Sequence, residues 1–182
     1  MDDNLSYKLK VAGLERDLPI CSVNDNVSIA AFVMFSDVEL TIACATQLLE
    51  RCPKDFDVII TAESKGIPLA YEMNRQSGKK YILARKSKKL YMKRPVAVDV
   101  KSITTARIQT LYLDSGDMAC LKDKKVLVVD DVISTGESLA ALRQLVEQAG
   151  GHIVAQAAVL AEGNAANRGD IIYLAPLPVF VK

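Results

Sequence analysis

The sequence predicts an α/β protein with a central, mostly parallel, twisted sheet flanked by helices, and two occurrences of one pattern predict it. Val126 to Val129 is an apolar, mostly β-branched run of the kind buried on both faces of a parallel sheet. It ends in Asp130-Asp131 and passes through Ser134-Thr135-Gly136-Glu137-Ser138. A helix then opens with Leu139, Leu142, Leu145, Val146 and Ala149 on one face. Gly150-Gly151 stops that helix and Ile153 to Leu160 forms a second buried strand, which completes a βαβ unit. The same order occurs earlier. Asp57 to Ala62 reads as a buried strand and Glu63-Ser64-Lys65-Gly66 as a tight turn. A helix follows through Ile67, Leu69, Ala70 and Met73 and closes near Gly78.

The other elements follow in order. The first thirty-odd residues lack a period; Leu18-Pro19-Ile20 and Val23-Asn24-Asp25-Asn26 predict short extended pieces and turns. Ser36 or Asp37 caps a helix with Val38, Ile42, Ala45, Leu48 and Leu49 as its apolar face, ending before Cys52-Pro53. Tyr81 to Ala84 is the next strand. Val96 to Val100 and Thr110 to Leu113 alternate as a two-stranded ribbon across Ser102-Ile103-Thr104-Thr105. Ile171 to Leu174 is a further strand, and Pro176 to Phe180 an extended tail. His152, the only histidine, falls at the opposite end of the βαβ unit from its acids and is read as structural.

Composition narrows the function classes. At 182 residues, half of them apolar, the chain fits one domain with a sizeable core. A net charge of +1 argues against a nucleic-acid coat. Cys21, Cys44, Cys52 and Cys120 show neither CxxC nor zinc spacing. With no signal peptide or bilayer-spanning apolar run, a reducing cytoplasm without membrane attachment is expected.

In a βαβ unit ligands bind outside the carboxyl ends of the strands, where Asp130, Asp131 and the turn after them fall. That turn offers free backbone N–H groups, the hydroxyls of Ser134, Thr135 and Ser138, and the positive end of a helix dipole, a cradle for a phosphate monoester. Two carboxylates would repel a phosphate; they suit the cis-diol of a ribose or its Mg²⁺. Sugar diol plus 5′-phosphate is a ribose-5-phosphate site. Neither a GxxxxGK[ST] loop nor a GxGxxG turn is present.

The stretch VLVVDDVISTGESL closely resembles the 5-phosphoribosyl-1-pyrophosphate (PRPP) signature of type I phosphoribosyltransferases. Glu63-Ser64-Lys65-Gly66 is similar to the pyrophosphate turn of the adenine enzymes, with Lys65 where they carry arginine. Arg85-Lys86 resembles the pair that opens the mobile loop of the purine enzymes, in a run with eight basic residues and one acid between Arg85 and Arg107. The resemblance implies one transferase domain over residues 1–182, with a hood segment over 1–36 and a mobile β-ribbon lid over 85–113. It implies transfer of 5-phosphoribose from Mg²⁺-PRPP to a purine, most closely adenine, by a homodimer. Asp130 and Asp131 would be the catalytic pair, holding the ribose hydroxyls and the metal. Ser134, Thr135, Gly136, Glu137 and Ser138 would hold the 5′-phosphate. Ser64, Lys65, Gly66, Arg85 and Lys89 would hold pyrophosphate, in a turn that usually contains a non-proline cis peptide. Val132, Ile133, Phe35 and Glu162 are the expected base contacts. Phe32 is a further candidate, and both phenylalanines also read as plain core.

One departure is informative. The lid lacks the glutamate of the adenine enzymes, and its Ser102-Ile103-Thr104-Thr105 is nearer to the run of the xanthine enzymes. Glu162 stands where oxopurine enzymes carry lysine, and an acid accepts a hydrogen bond from an exocyclic amine, which tilts the base towards adenine. Transfer to xanthine, hypoxanthine or guanine, and a PRPP-binding regulatory protein without turnover, are the alternatives.

Overall fold

The computed structural model describes residues 5–101 and 108–181. Its core is a five-stranded sheet in the order β10 (Ile172–Leu177), β9 (His152–Glu162), β8 (Lys125–Ile133), β4 (Val58–Ala62) and β5 (Lys80–Ala84), with every neighbouring pair parallel. Parallel pairing forces crossovers. Helix α2 (Ile67–Ser77) joins β4 to β5, and α4 (Glu137–Gln148) joins β8 to β9. Both predicted βαβ units are present. The edge position of β10 lets it accommodate Pro176, which would break an inner ladder.

Alternation along the inner strands divides the apolar residues between two cores. Ile59, Leu127, Val129 and Val159 pack on one face with Leu40, Cys44 and Leu48 of α1 (Val38–Arg51) and Leu69 and Met73 of α2. Val58, Ile60, Val126 and Val128 pack on the other with Leu139, Leu142 and Leu145 of α4. All five residues of β4 are buried, as its unbroken apolar run requires.

The poorly periodic N-terminal stretch forms β1 (Ser6–Val11), β2 (Leu14–Ser22) and β3 (Val27–Ala30). These build an antiparallel sheet in the order β1-β2-β3-β11, completed by β11 (Val179–Val181) of the predicted tail. Tyr7 and Phe180 meet edge to face at 6.0 Å between ring centres, so the two ends of the chain pack together. The ribbon is also present, as antiparallel β6 (Val96–Lys101) and β7 (Ile108–Leu113). It continues the edge of the main sheet through paired backbone bonds between Arg85 and Tyr112 at 2.9 and 2.8 Å. The expected lid tip, Ser102 to Thr105, lies outside the described residues. A short helix, α3 (Ser115–Leu121), was not foreseen; at seven residues it is too brief to show a helical period.

The phase of α1 differs from the sequence reading. Val38 is 69% and Ile42 41% exposed, whereas Leu40, Thr41, Cys44, Ala45 and Leu48 are buried. The helix packs against α2, β9 and β10 together, and this three-sided contact selects a stripe with Thr41 and Cys44 in it. Asp37 caps the helix as predicted. Its Oδ1 accepts the Leu40 N–H at 3.0 Å and its carboxylate receives Arg16 at 2.7 and 3.1 Å. Arg16 holds the Asp37 carboxyl below its usual range. Asp37→Ala should therefore lower stability at neutral pH by about 1–2 kcal/mol in urea denaturation. A carboxyl with a depressed folded pKa stabilises above its unfolded value of about 4 and loses that contribution as pH falls through the folded value. The gap between variant and parent should thus close in acid.

Candidate active site

The sheet order reverses between β4 and β8: one half of the chain runs outward to β5, the other to β9 and β10. Such a switch point leaves a crevice at the carboxyl ends of the two strands. The end of β4 leads into Glu63-Ser64-Lys65-Gly66, with a cis peptide between Glu63 and Ser64. The end of β8 carries Asp130 and Asp131. The two turns touch. A side chain on Gly66 would collide with the Thr61 hydroxyl and come within 3.0 Å of Asp130 Oδ1, so only glycine lets α2 start this close to the acids.

The acid pair is desolvated. Asp131 is 5% exposed, and its Oδ2 is buried without a hydrogen-bond partner among the described residues. Asp130 Oδ1 accepts the Asp131 N–H at 2.9 Å. Burial, and then the neighbouring charge of Asp131, push the Asp130 carboxyl well above its usual range. Burial also raises Asp131, opposed chiefly by its hydrogen bond to Asp130 and then by the charge of Lys65. Lys65 and one backbone N–H compensate the pair only in part, and Asp131 Oδ2 is left for a donor or a charge that a diol or a cation would bring.

A cavity of about 350 Å³ opens above them. It is lined by the polar Ser64, Lys65, Lys86, Ser134, Ser138 and Glu162 and by the apolar Ile29, Ala30, Phe32, Val132 and Leu177. Burial raises the Glu162 carboxyl and the charge of Lys65 opposes it. A second cavity of about 220 Å³ adjoins the first and is enclosed by the turn Ser134–Ser138 with Asp130 and Leu139. Gly136 takes φ +82° there, which turns successive N–H groups towards the start of α4.

The structure gathers Asp130, Asp131, Ser134, Thr135, Gly136, Glu137, Ser138, Ser64, Lys65, Val132 and Glu162 on these two cavities. Phe32, read as a candidate, lines the larger one and is also core. Five of the residues expected to hold base or pyrophosphate stand outside the lining of the larger cavity. Phe35 is 46% exposed and lies off the cavities, because the chain after β3 turns Phe32 and Met34 inward. Ile133 borders the smaller cavity but is 3% exposed, its side chain packed in the core beneath α4. Arg85 and Lys89 turn to Glu63, at 3.2 and 3.7 Å, and Lys86 lines the cavity instead. Glu63 also accepts the Lys86 N–H at 2.9 Å, so one carboxylate fixes both the turn and the start of the basic run. The basic run itself was legible; which of its members faces inward depends on this partner. Gly66 acts by its lack of bulk, beside the cavity rather than in its lining.

Among the described residues no cluster of three or more His, Cys, Asp or Glu is placed to hold a metal ion. Asp130 and Asp131 with the unpartnered Oδ2 fit a hard cation that takes its remaining oxygens from a substrate and water. Among the described residues no helix is long and apolar enough to cross a membrane.

A parallel sheet with a glycine-containing turn and an acid pair at its switch point places the protein among the α/β folds whose ligands bind in that crevice. The family model described as a phosphoribosyl transferase domain matches residues 39–173, and the chain belongs to that family. It is 36% identical over 120 residues to a hypoxanthine/guanine phosphoribosyltransferase of Methanothermococcus okinawensis, covering 66% of this chain and 62% of that protein. It is 35% identical over 117 residues to an adenine phosphoribosyltransferase of Cenarchaeum symbiosum, covering 64% and 66%. In fold it is similar to the adenine phosphoribosyltransferase of Giardia lamblia in complex with 9-deazaadenine, with a TM-score of 0.66 at 15% identity over 94% of this chain and 93% of that one.

Asp130→Asn removes the half-buried like charge beside the buried Asp131. It should raise the melting temperature of the ligand-free protein at neutral pH by roughly 2–4 °C, the size of a 1 kcal/mol change in a chain this long. Carboxyls with raised folded pKa values cost stability as pH climbs through those values. The gain should therefore shrink on acidification, which a melting series across pH measures.

Proposed function

We propose that the protein transfers 5-phosphoribose from Mg²⁺-PRPP to a purine base, releasing pyrophosphate, with adenine as the preferred base and AMP as the product. The observation that carries this reading is the pair of adjoining cavities that share Asp130. The smaller suits a 5′-phosphate, and the larger offers cationic and hydroxyl groups for pyrophosphate and apolar side chains for a flat base. Asp130 borders both and Asp131 lines the larger, where a ribose would span them.

In the reaction a purine nitrogen uses its lone pair to form a bond to C1. The C1–O bond to pyrophosphate breaks with its electron pair leaving on oxygen, and the ring N–H proton of the base passes to the departing pyrophosphate or to water. Charge on the sugar becomes oxocarbenium-like, so the protein's contribution is positional and electrostatic. Asp130 and Asp131 accept from the ribose hydroxyls and hold C1 in line. Ser64, Lys65 and Lys86 receive the departing pyrophosphate. Asp130 and Asp131 would hold Mg²⁺, which would supply positive charge to the leaving group. The β1-β2-β3-β11 sheet is the hood over the base, and the β6-β7 ribbon the lid that excludes water.

Glu162 in the lining of the larger cavity supports adenine, since its carboxylate accepts from an exocyclic amine. One observation favours hypoxanthine or guanine. Lys65 Nζ donates to the Phe32 carbonyl at 3.4 Å, which brings a cationic donor beside an apolar residue of the same cavity, where a purine carbonyl would accept it. A turnover assay with Mg²⁺-PRPP and adenine, hypoxanthine, guanine and xanthine separates these readings. Product with adenine alone is expected; product only with oxopurines reverses the base assignment, and PRPP binding without product from any base leaves a sensor. Asp131→Asn should lose PRPP affinity and turnover with its fold intact by circular dichroism. Unchanged kinetics would remove the sugar-binding role.

We also propose a homodimer in a reducing cytoplasm. All four cysteines are free thiols, which supports the compartment. Val33, Phe35, Val38, Ile42 and Tyr71 are exposed on and beside α1 and α2, around a groove that also carries Asp37, Glu72 and Arg75. An apolar patch edged by both charge signs is suited to meeting a second copy of itself. Ile42→Asp should convert the dimer to a monomer in light scattering; a monomeric parent would sink the assembly.

A further inference from the structure

The phosphate turn has a neighbour that the signature does not contain. Arg168 follows the 3₁₀ turn Gly163–Asn167 after β9, far along the chain from Ser134–Ser138. Its guanidinium Nη1 lies only 2.6 Å from the point where a side chain on Gly136 would begin. Nη1 and the Gly136 amide nitrogen are therefore within about 5 Å of each other, a span that one phosphate oxygen bridges with two hydrogen bonds. Gly136 thus has two reasons to lack a side chain: its φ of +82° and the arginine against it.

The arginine is held in place. Nε and Nη2 donate to the two carboxylate oxygens of Asp170 at 2.9 and 2.7 Å, a forked pair that leaves Nη1 without a partner among the described residues. Asp170 is itself anchored, its backbone carbonyl accepting Gln156 Nε2 at 3.2 Å. The pair holds the Asp170 carboxyl down at about 2, so it stays ionised through the neutral range. The turn needs such a partner. Ser134–Ser138 carries one formal charge, that of Glu137, and the adjacent Asp130 and Asp131 are acids as well. A phosphate dianion there gains from a fixed cation, and Arg168 stands against the turn at Gly136, just outside the residues that line the smaller cavity, with Nη1 open.

We propose that Arg168 is a further ligand of the monoester phosphate bound in the Ser134–Ser138 turn, oriented for that task by Asp170. This rests on the reading of the turn as a 5′-phosphate site. The test is calorimetric titration of the full chain with ribose 5-phosphate and, separately, with inorganic pyrophosphate. Arg168→Gln should weaken ribose 5-phosphate about tenfold or more and leave pyrophosphate unchanged, the loss expected for one charge-assisted hydrogen bond. Arg168→Lys should recover part of the affinity, since lysine keeps the charge without the fork. Equal weakening of both ligands would reduce Arg168 to a structural strut and overturn the proposal, as would unchanged binding of both. Failure of the parent protein to bind ribose 5-phosphate would instead refute the phosphate reading of the turn, and the proposal with it.

Discussion

The rest of the site depends on one close approach, that of the β4 turn to the end of β8. Thr61, Gly66 and Asp130 meet there at van der Waals distance, and the absence of one side chain makes the meeting possible. Because β4 and β8 are neighbours in the sheet, their carboxyl ends must open on the same crevice. The approach of α2 then places the Ser64–Lys65 turn over a pair of acids that water cannot fully solvate. Burial of two like charges costs folding stability, and such costs persist where they serve a ligand. Lys65 offsets part of that cost, since its charge opposes the upward shift of both Asp131 and Glu162. Lys65 is thus a positive charge acting on two acids, Asp131 and Glu162.

The second constraint is the closing of the chain on itself. β3 pairs with β2 on one side and with β11 on the other, so the wall bearing Ile29, Ala30 and Phe32 is complete only once the C-terminal residues are in place. Leu177, at the end of β10, lines the same cavity, so the edge of the parallel sheet and the antiparallel sheet share one surface. The apolar end of the crevice is therefore built from residues as distant in sequence as Ile29 and Leu177.

The parts of the site legible in the sequence were those held by a single strand–turn–helix segment. Asp130, Asp131 and Ser134 to Ser138 sit where the βαβ pattern puts them, because a strand buried on both faces fixes the register of the turn that follows it. Ser64 and Lys65 were legible for the same reason. Phe35, Ile133, Arg85 and Lys89 stand outside the lining of the larger cavity, which no local pattern encodes. Arg85 and Lys89 are drawn off by Glu63, and Lys86, their neighbour, takes the cleft. Arg168 gave no local signal, since its relevance comes from Gly136 and Asp170 together.

By itself the sequence determined the parallel α/β core, both phosphate-type turns, the acid pair and the family to which these belong. Each of these is written in a period or motif shorter than a dozen or so residues, and hydrophobic periodicity with turn chemistry is a local property of the chain. Only the tertiary structure decided which face of α1 is buried, which basic residue of a dense run turns inward, and how two chain ends join into one wall. Those outcomes are set by long-range packing and by competition for charged partners, which depend on neighbours brought together only when the sheet closes.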